Sequence, residues 1–151
     1  MATYNAPIPA GLAARPPIKA ADPAFGGRCY RFRSVVNLAT VNGGSAVTTS
    51  DAIRLATIPA GYIFDRCEMV SSVSLTTSAQ AIGTSATHGS NGQYRASAAY
   101  GTTVDILSMT APSAAKAGSA LAADTDIYMT LATASLPTSG TVVVDLYFNK
   151  P

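Results

Sequence analysis

The sequence predicts an all-β fold, a single β-sandwich/jelly-roll-like domain over residues 28–151, preceded by an extended Pro-rich N-terminal arm over residues 1–27. Three observations lead there. From Arg28 onward apolar residues recur at period two, as a strand with one buried face requires. Clusters of Gly, Pro, Asn and Ser punctuate these runs at short intervals. Five of the nine prolines (Pro7, Pro9, Pro16, Pro17, Pro23) fall between Asn5 and Gly27. Each removes a backbone donor and pushes its predecessor out of the helical region, which excludes helix and central strand there and leaves a PPII-like chain.

The elements follow in order. "RCYRFRSVVNLATV" (28–41) alternates Arg28, Tyr30 and Phe32 with Cys29, Arg31 and Arg33, then becomes apolar enough for burial on both sides. "NGGS" (42–45) is a turn. "AIRLATI" sets Ile53 and Leu55 against Arg54 and Ala56, and "PAG" (59–61) turns the chain again. "YIFDRCEMVSSVSL" places Cys67, Met69, Val73 and Leu75 opposite Arg66, Glu68 and Ser72. "AQAIGTS", "YRASAAYG" and "TTVDILSM" are shorter candidate strands. "APSAAKAGSALAAD" (111–124) is Ala-rich and fits a short helix or a loop equally, with Gly118 weakening the helix.

The last two strands are the clearest. "TDIYMTLAT" turns Ile127, Met129 and Leu131 inward, and "TVVVDLYFN" does the same with Val142, Val144, Leu146 and Phe148. "ASLPTSG" separates them as a loop. The expected core is therefore Ile53, Leu55, Val73, Ile127, Met129, Leu131, Val142, Val144, Leu146 and Phe148.

Composition narrows the function. The chain is 48% hydrophobic and 12% charged, against a charged norm of about 25%. Ser and Thr stand where Lys and Glu usually do, so the surface is either solvated by hydroxyls or covered by neighbours. Net charge is +2 but uneven. Residues 1–33 carry Arg15, Lys19, Arg28, Arg31 and Arg33 against Asp22, while the remainder is slightly acidic. A basic arm points to an acidic protein surface. It lacks the dense cationic clusters and interleaved aromatics of a nucleic-acid binder, so nucleic acid is not an expected partner. No run approaches the ~18 apolar residues of a membrane span, and no membrane partner is expected. The N-terminus lacks the pattern of a Sec signal, which leads to an expectation of folding in a reducing cytoplasm, with Cys29 and Cys67 as two buried free thiols.

Chemistry is sparse. His88 sits in "ATHGSNGQYR", a loop in which a solvated His is expected, and no nucleophile elbow or phosphate-binding glycine motif occurs. Asp124 and Asp126 open like a calcium loop, but the Gly and terminal Glu of an EF-hand are missing. No enzyme, cofactor or metal is expected.

The segments Ile58-Pro59-Ala60-Gly61, Ile63-Phe64-Asp65, Ala81-Ile82-Gly83-Thr84 and Leu136-Pro137 through Tyr147 together resemble a layout of small structural proteins of tailed bacteriophages. The resemblance spans residues 53–148 and rests on turn chemistry and strand pattern. It implies a virion structural protein, foremost a head decoration (cement) protein on the capsid surface. Its partner would be the major capsid protein or another virion protein, and a homo-oligomer, a trimer foremost, would match the three-fold positions of a capsid lattice. The alternatives are a neck, tail or head-fibre component, or a carbohydrate-binding, adhesin-like sandwich with Tyr94, Tyr100 and Tyr128 grouped at one concave site. The arm is the expected partner-binding element. Ile8, Leu12, Ile18 and Phe25 serve as apolar pegs, and Arg15, Lys19 and Arg28 as its cations.

Overall fold

The computed structural model describes residues 3–5, 19–21, 28–75, 77–99, 107–108 and 119–150. Among the described residues, ten strands form two five-stranded sheets: β1 (Thr3–Asn5), β2 (Lys19–Ala21), β3 (Arg28–Asn37), β4 (Ala52–Ile58), β5 (Ile63–Ser71), β6 (Ala79–Gly83), β7 (Arg95–Ala99), β8 (Leu107–Ser108), β9 (Thr125–Ala132) and β10 (Thr141–Lys150). One sheet runs β2-β3-β10-β5-β8 and the other β1-β4-β9-β6-β7. The antiparallel pairs nest: β3 with β10, β4 with β9, β5 with β8 and β6 with β7. Nested pairs wrapped into two facing sheets are a jelly roll.

The inner faces meet as the alternation predicts. Ile127, Met129, Leu131, Val142, Val144, Leu146 and Phe148 are all buried, with Ile53, Leu55 and Ile58 from β4. At one end the core is aromatic. Phe148 lies edge-on to Phe32, Phe64 and Tyr94 with centroids 5.4–5.9 Å apart, and Phe64 stacks on Tyr94 at 4.3 Å. Edge-to-face rings add to the area they bury.

Of three register irregularities, one lies between β6 and β7 and the other two, in β4 and β5, set which residues face in. In β4, Leu55 is the extra residue between the pairs Arg54–Tyr128 and Ala56–Ile127. In β5, Asp65 is the extra residue between Arg66–Tyr147 and Phe64–Phe148. An inserted residue reverses the alternation beyond it. Hence odd-numbered Leu55 and even-numbered Ile58 are both buried, as are Phe64 and Cys67.

Several expectations need correcting. Val73 is half-buried, because β5 ends at Ser71 and Val73 packs on the core from the following turn. The first long strand stops at Asn37, whose side chain accepts from Ala39 N (3.0 Å) and whose carbonyl accepts from Thr40 and Val41 N. It is not buried on both sides, since Val35 is half-exposed on its outer face. Ala120 pairs with Ile63 as a β-bridge, so 119–124 is not helical; residues 111–118 lie outside the described residues. Both cysteines are free, but only Cys67 is buried and Cys29 is half-buried. Within 1–27, Thr3–Asn5 pairs in parallel with Ala52–Arg54, and Lys19–Ala21 pairs antiparallel with Arg28–Tyr30. Both are short edge strands, the sheet position that Pro-rich neighbours tolerate.

Candidate interaction surface

The two outer faces differ. On the β4-β9-β6 side, residues 84–94 fold back over the sheet. Asn91 Nδ2 donates to the carbonyls of Ala81 and Tyr128 (both 3.2 Å) and to Thr130 Oγ1 (3.0 Å), and Thr130 is buried although it faces outward. Gly83 leaves room there, for a Cβ would lie 2.9 Å from the backbone nitrogen of Gln93 and would also displace the Gln93 and Asn91 side chains.

On the other side, the centre of the β3-β10-β5 face is a shallow hollow of about 340 Å³ lined by Arg31, Arg33, Glu68, Val70, Val143, Asp145 and Tyr147. The register sorts it into three rows across the strands: Arg31–Tyr147–Arg66, Arg33–Asp145–Glu68 and Val35–Val143–Val70. Arg33 grips Asp145 with two bonds, Nε to Oδ1 at 2.7 Å and a terminal nitrogen to Oδ2 at 2.6 Å. That bond holds the Arg33 guanidinium further above its ordinary range. Arg66 lies 4.1 Å over the Tyr147 ring and bonds Asp65 (2.9 Å) and Glu68 (3.4 Å), while Tyr147 donates to Glu68 at 3.2 Å. The valines are all half-buried. An apolar strip beside charged rows suits contact with a protein surface, with an apolar centre and a polar rim.

The arm's expected binding residues fall unevenly against this geometry. Lys19 and Arg28 lie on the paired edge strands β2 and β3 of this sheet, Lys19 opposite Tyr30 and Arg28 opposite Ala21, in alternation with Arg31 and Arg33 and so not on the face of the hollow. Ile8, Leu12, Arg15, Ile18 and Phe25 lie outside the described residues. The seven are thus not seen as one site, and the hollow uses residues that the sequence treated as ordinary outward strand positions. The signal for it was present: Arg31 and Arg33 recur at period two in a chain otherwise poor in charge.

The acidic pair in "AADTDIYM" separates. Asp124 accepts from Ala60 N at 3.0 Å and fixes the 59–61 turn, whereas Asp126 accepts from Thr57 Oγ1 (2.5 Å) and Arg54 (3.4 Å) on the sheet face. The Thr57 hydroxyl, then Arg54, draws Asp126 below the usual carboxylate range. No group of three metal-ligating side chains occurs among the described residues. His88 is half-buried in a short 3-10 turn (His88–Ser90), and its Nδ1 has no hydrogen-bond partner among the described residues. Tyr94 is buried in the core while Tyr128 faces out and bonds Asp126 at 3.3 Å. Those two tyrosines therefore do not share a sugar-stacking site; Tyr100 lies outside the described residues. No described helix is long and apolar enough to cross a membrane.

No family model and no curated protein matches the chain. Two solved structures share its fold. One is a chain of the Cyanophage Pam1 capsid asymmetric unit, 20% identical with a TM-score of 0.60, covering 95% of this chain and 100% of that one. The other is a chain of the capsid of Ralstonia phage GP4, 15% identical with a TM-score of 0.57, covering 91% and 92%. At these identities the likeness is one of fold.

Proposed function

We propose that this chain is a non-enzymatic structural protein of a phage virion, a decoration (cement) protein that binds the head surface and stabilises it. The observation that carries the reading is the end-to-end likeness of its fold to chains of two phage capsid structures. Its surface chemistry supports it. The chain carries few charges that contact would desolvate, and on the open sheet face Arg33 is paired with Asp145 and Arg66 with Asp65 and Glu68. The partner is the major capsid protein, and the chain acts as a homo-oligomer, a trimer on lattice three-folds.

Residues 1–27 supply the anchor. Ordering an extended segment costs about 1–2 kcal/mol per residue, less at prolines. Ile8, Leu12, Ile18 and Phe25, each contributing about 1.5–3 kcal/mol when buried, offset that against the capsid, with Arg15, Lys19 and Arg28 near acidic groups. Repetition over an oligomer multiplies the attachment.

The test is binding of full-length protein and a 1–27 deletion to undecorated capsids, with capsid heat resistance measured alongside. Saturable binding that raises the temperature of capsid rupture is expected, and the deletion should bind at least about tenfold more weakly. Binding only to isolated necks or tails would move the protein elsewhere on the virion. Equal binding by the deletion would remove the arm as anchor.

A further inference from the structure

The hollow on the β3-β10-β5 face holds one cation that its neighbours leave unused. Asp145 accepts from Arg33 through both carboxylate oxygens, at 2.7 and 2.6 Å. Glu68 accepts from Arg66 Nε (3.4 Å) through one oxygen and from the Tyr147 hydroxyl (3.2 Å) through the other. Arg66 also bonds Asp65 at 2.9 Å. Arg31 lines the same hollow, yet among the described residues it makes no ion pair and no side-chain hydrogen bond.

Register sets what stands near it. Arg31 is opposite Tyr147, Arg33 opposite Asp145, and Val35 opposite Val143. Residues two apart on a strand share a face, and each residue advances it by about 3.3 Å, so Val35 lies about 13 Å along β3 from Arg31. The face therefore runs from a spare guanidinium, through ions already bound to one another, to half-buried Val35, Val143 and Val70.

We propose that this hollow takes an extended segment of the capsid protein that carries one carboxylate and, a few residues along, an apolar side chain. The carboxylate pairs with Arg31, whose planar fork can meet it in two parallel bonds. The apolar group covers the valines. Two other occupants fit the face less well. A nucleic-acid strand would lay its repeated phosphates against Asp145 and Glu68 as well as Arg31. A second copy of this face brings to the hollow only Asp145 and Glu68, whose oxygens are already held within their own copy. This contact rests on the proposed attachment to a capsid and is separate from the arm.

Binding of the full chain and its variants to undecorated capsids tests it, with thermal melts of each free protein. Arg31→Glu sets a like charge against the partner's carboxylate and should weaken binding at least about tenfold with melting unchanged. Added salt should narrow that gap. Arg31→Lys, which keeps the charge and loses the fork, should fall between the parent and Arg31→Glu. Val143→Thr, which keeps the shape and loses apolar contact, should also bind more weakly. Ser90→Glu, at an exposed position over the other sheet, should bind like the parent. Binding by Arg31→Glu as tight as the parent's overturns the inference and leaves the attachment standing. An equal loss in Ser90→Glu shows an effect of net charge alone and overturns it too. A parent that binds no capsid overturns both.

Discussion

Ser34 Oγ donates to the backbone carbonyl of Leu55, joining the two sheets through the middle of the sandwich. Leu55 is the bulge residue of β4, which has no pair in the ladder to β9. Ser34, 1% exposed, faces inward from β3 and meets that carbonyl. Ser34→Ala leaves a buried acceptor unpaired and should lower stability by about 1–3 kcal/mol in urea unfolding. Ser34→Val should fare no better, although it restores the lost volume. An unchanged midpoint for both would show that the bond contributes nothing.

Phe148 should be the costliest aromatic to remove. It is fully buried and touches Phe32, Phe64 and Tyr94. Phe148→Ala should cost about 3–5 kcal/mol, while Val144→Asp, a lone carboxylate in the core, should prevent folding altogether. Circular dichroism melts of both variants decide the order.

Gly140 is fixed by two independent constraints. Its φ is +100°, and a Cβ there would lie 2.6 and 2.7 Å from the methyl groups of Val73. Gly140→Ala should therefore destabilise by about 2 kcal/mol or more, and Val73→Ala added to it should recover only the steric part. In contrast, Thr133 has φ +71°, and Thr133→Gly should stabilise by about 1 kcal/mol by releasing that strain.

The two thiols should react very differently. Burial pushes Cys67 up to about 12, with Arg95 opposing weakly, and burial raises half-buried Cys29 as well. A thiol reagent at mildly alkaline pH should modify Cys29 in the native protein and Cys67 only on unfolding. The sign for stability follows. The folded state keeps the Cys67 proton that the unfolded chain loses above its ordinary value of 9.0, so this contribution is whole below 9 and declines as pH rises toward about 12. Cys67→Ala should flatten that alkaline decline. Equal native reactivity of both thiols would contradict it.

Much of the fold was legible because β9 and β10 alternate without interruption, so Ile127 through Leu131 and Val142 through Phe148 declare their inner face. Legibility failed where the backbone breaks period two. Nothing in "AIRLATI" announces that Leu55 is a bulge, and so nothing brings Ile58 inward. Arg95 is another such case. It pairs with inward Ile82 and is 4% exposed, with its guanidinium donating to the carbonyls of Gln80 (3.2 Å) and Ala98 (3.4 Å). A cation read from sequence alone is assigned to solvent. The open sheet face was hidden for a similar reason. Arg33, Asp145 and Glu68 are distant in sequence, and only register sets them side by side.

The nesting of the strand pairs has a consequence for biogenesis. β10 is the central strand of its sheet, flanked by β3 and β5, yet it is the last of the ten to leave the ribosome. Until residues 141–150 emerge, β3 has made its whole ten-residue length without its main neighbour, and β5 is equally bare on that side. The growing polypeptide cannot complete this sheet in stages, so it folds late and with high contact order. In the interval its apolar strands are exposed to every other copy being synthesised nearby. A chain halted before Thr141 therefore leaves β3 and β5 without the strand that joins them.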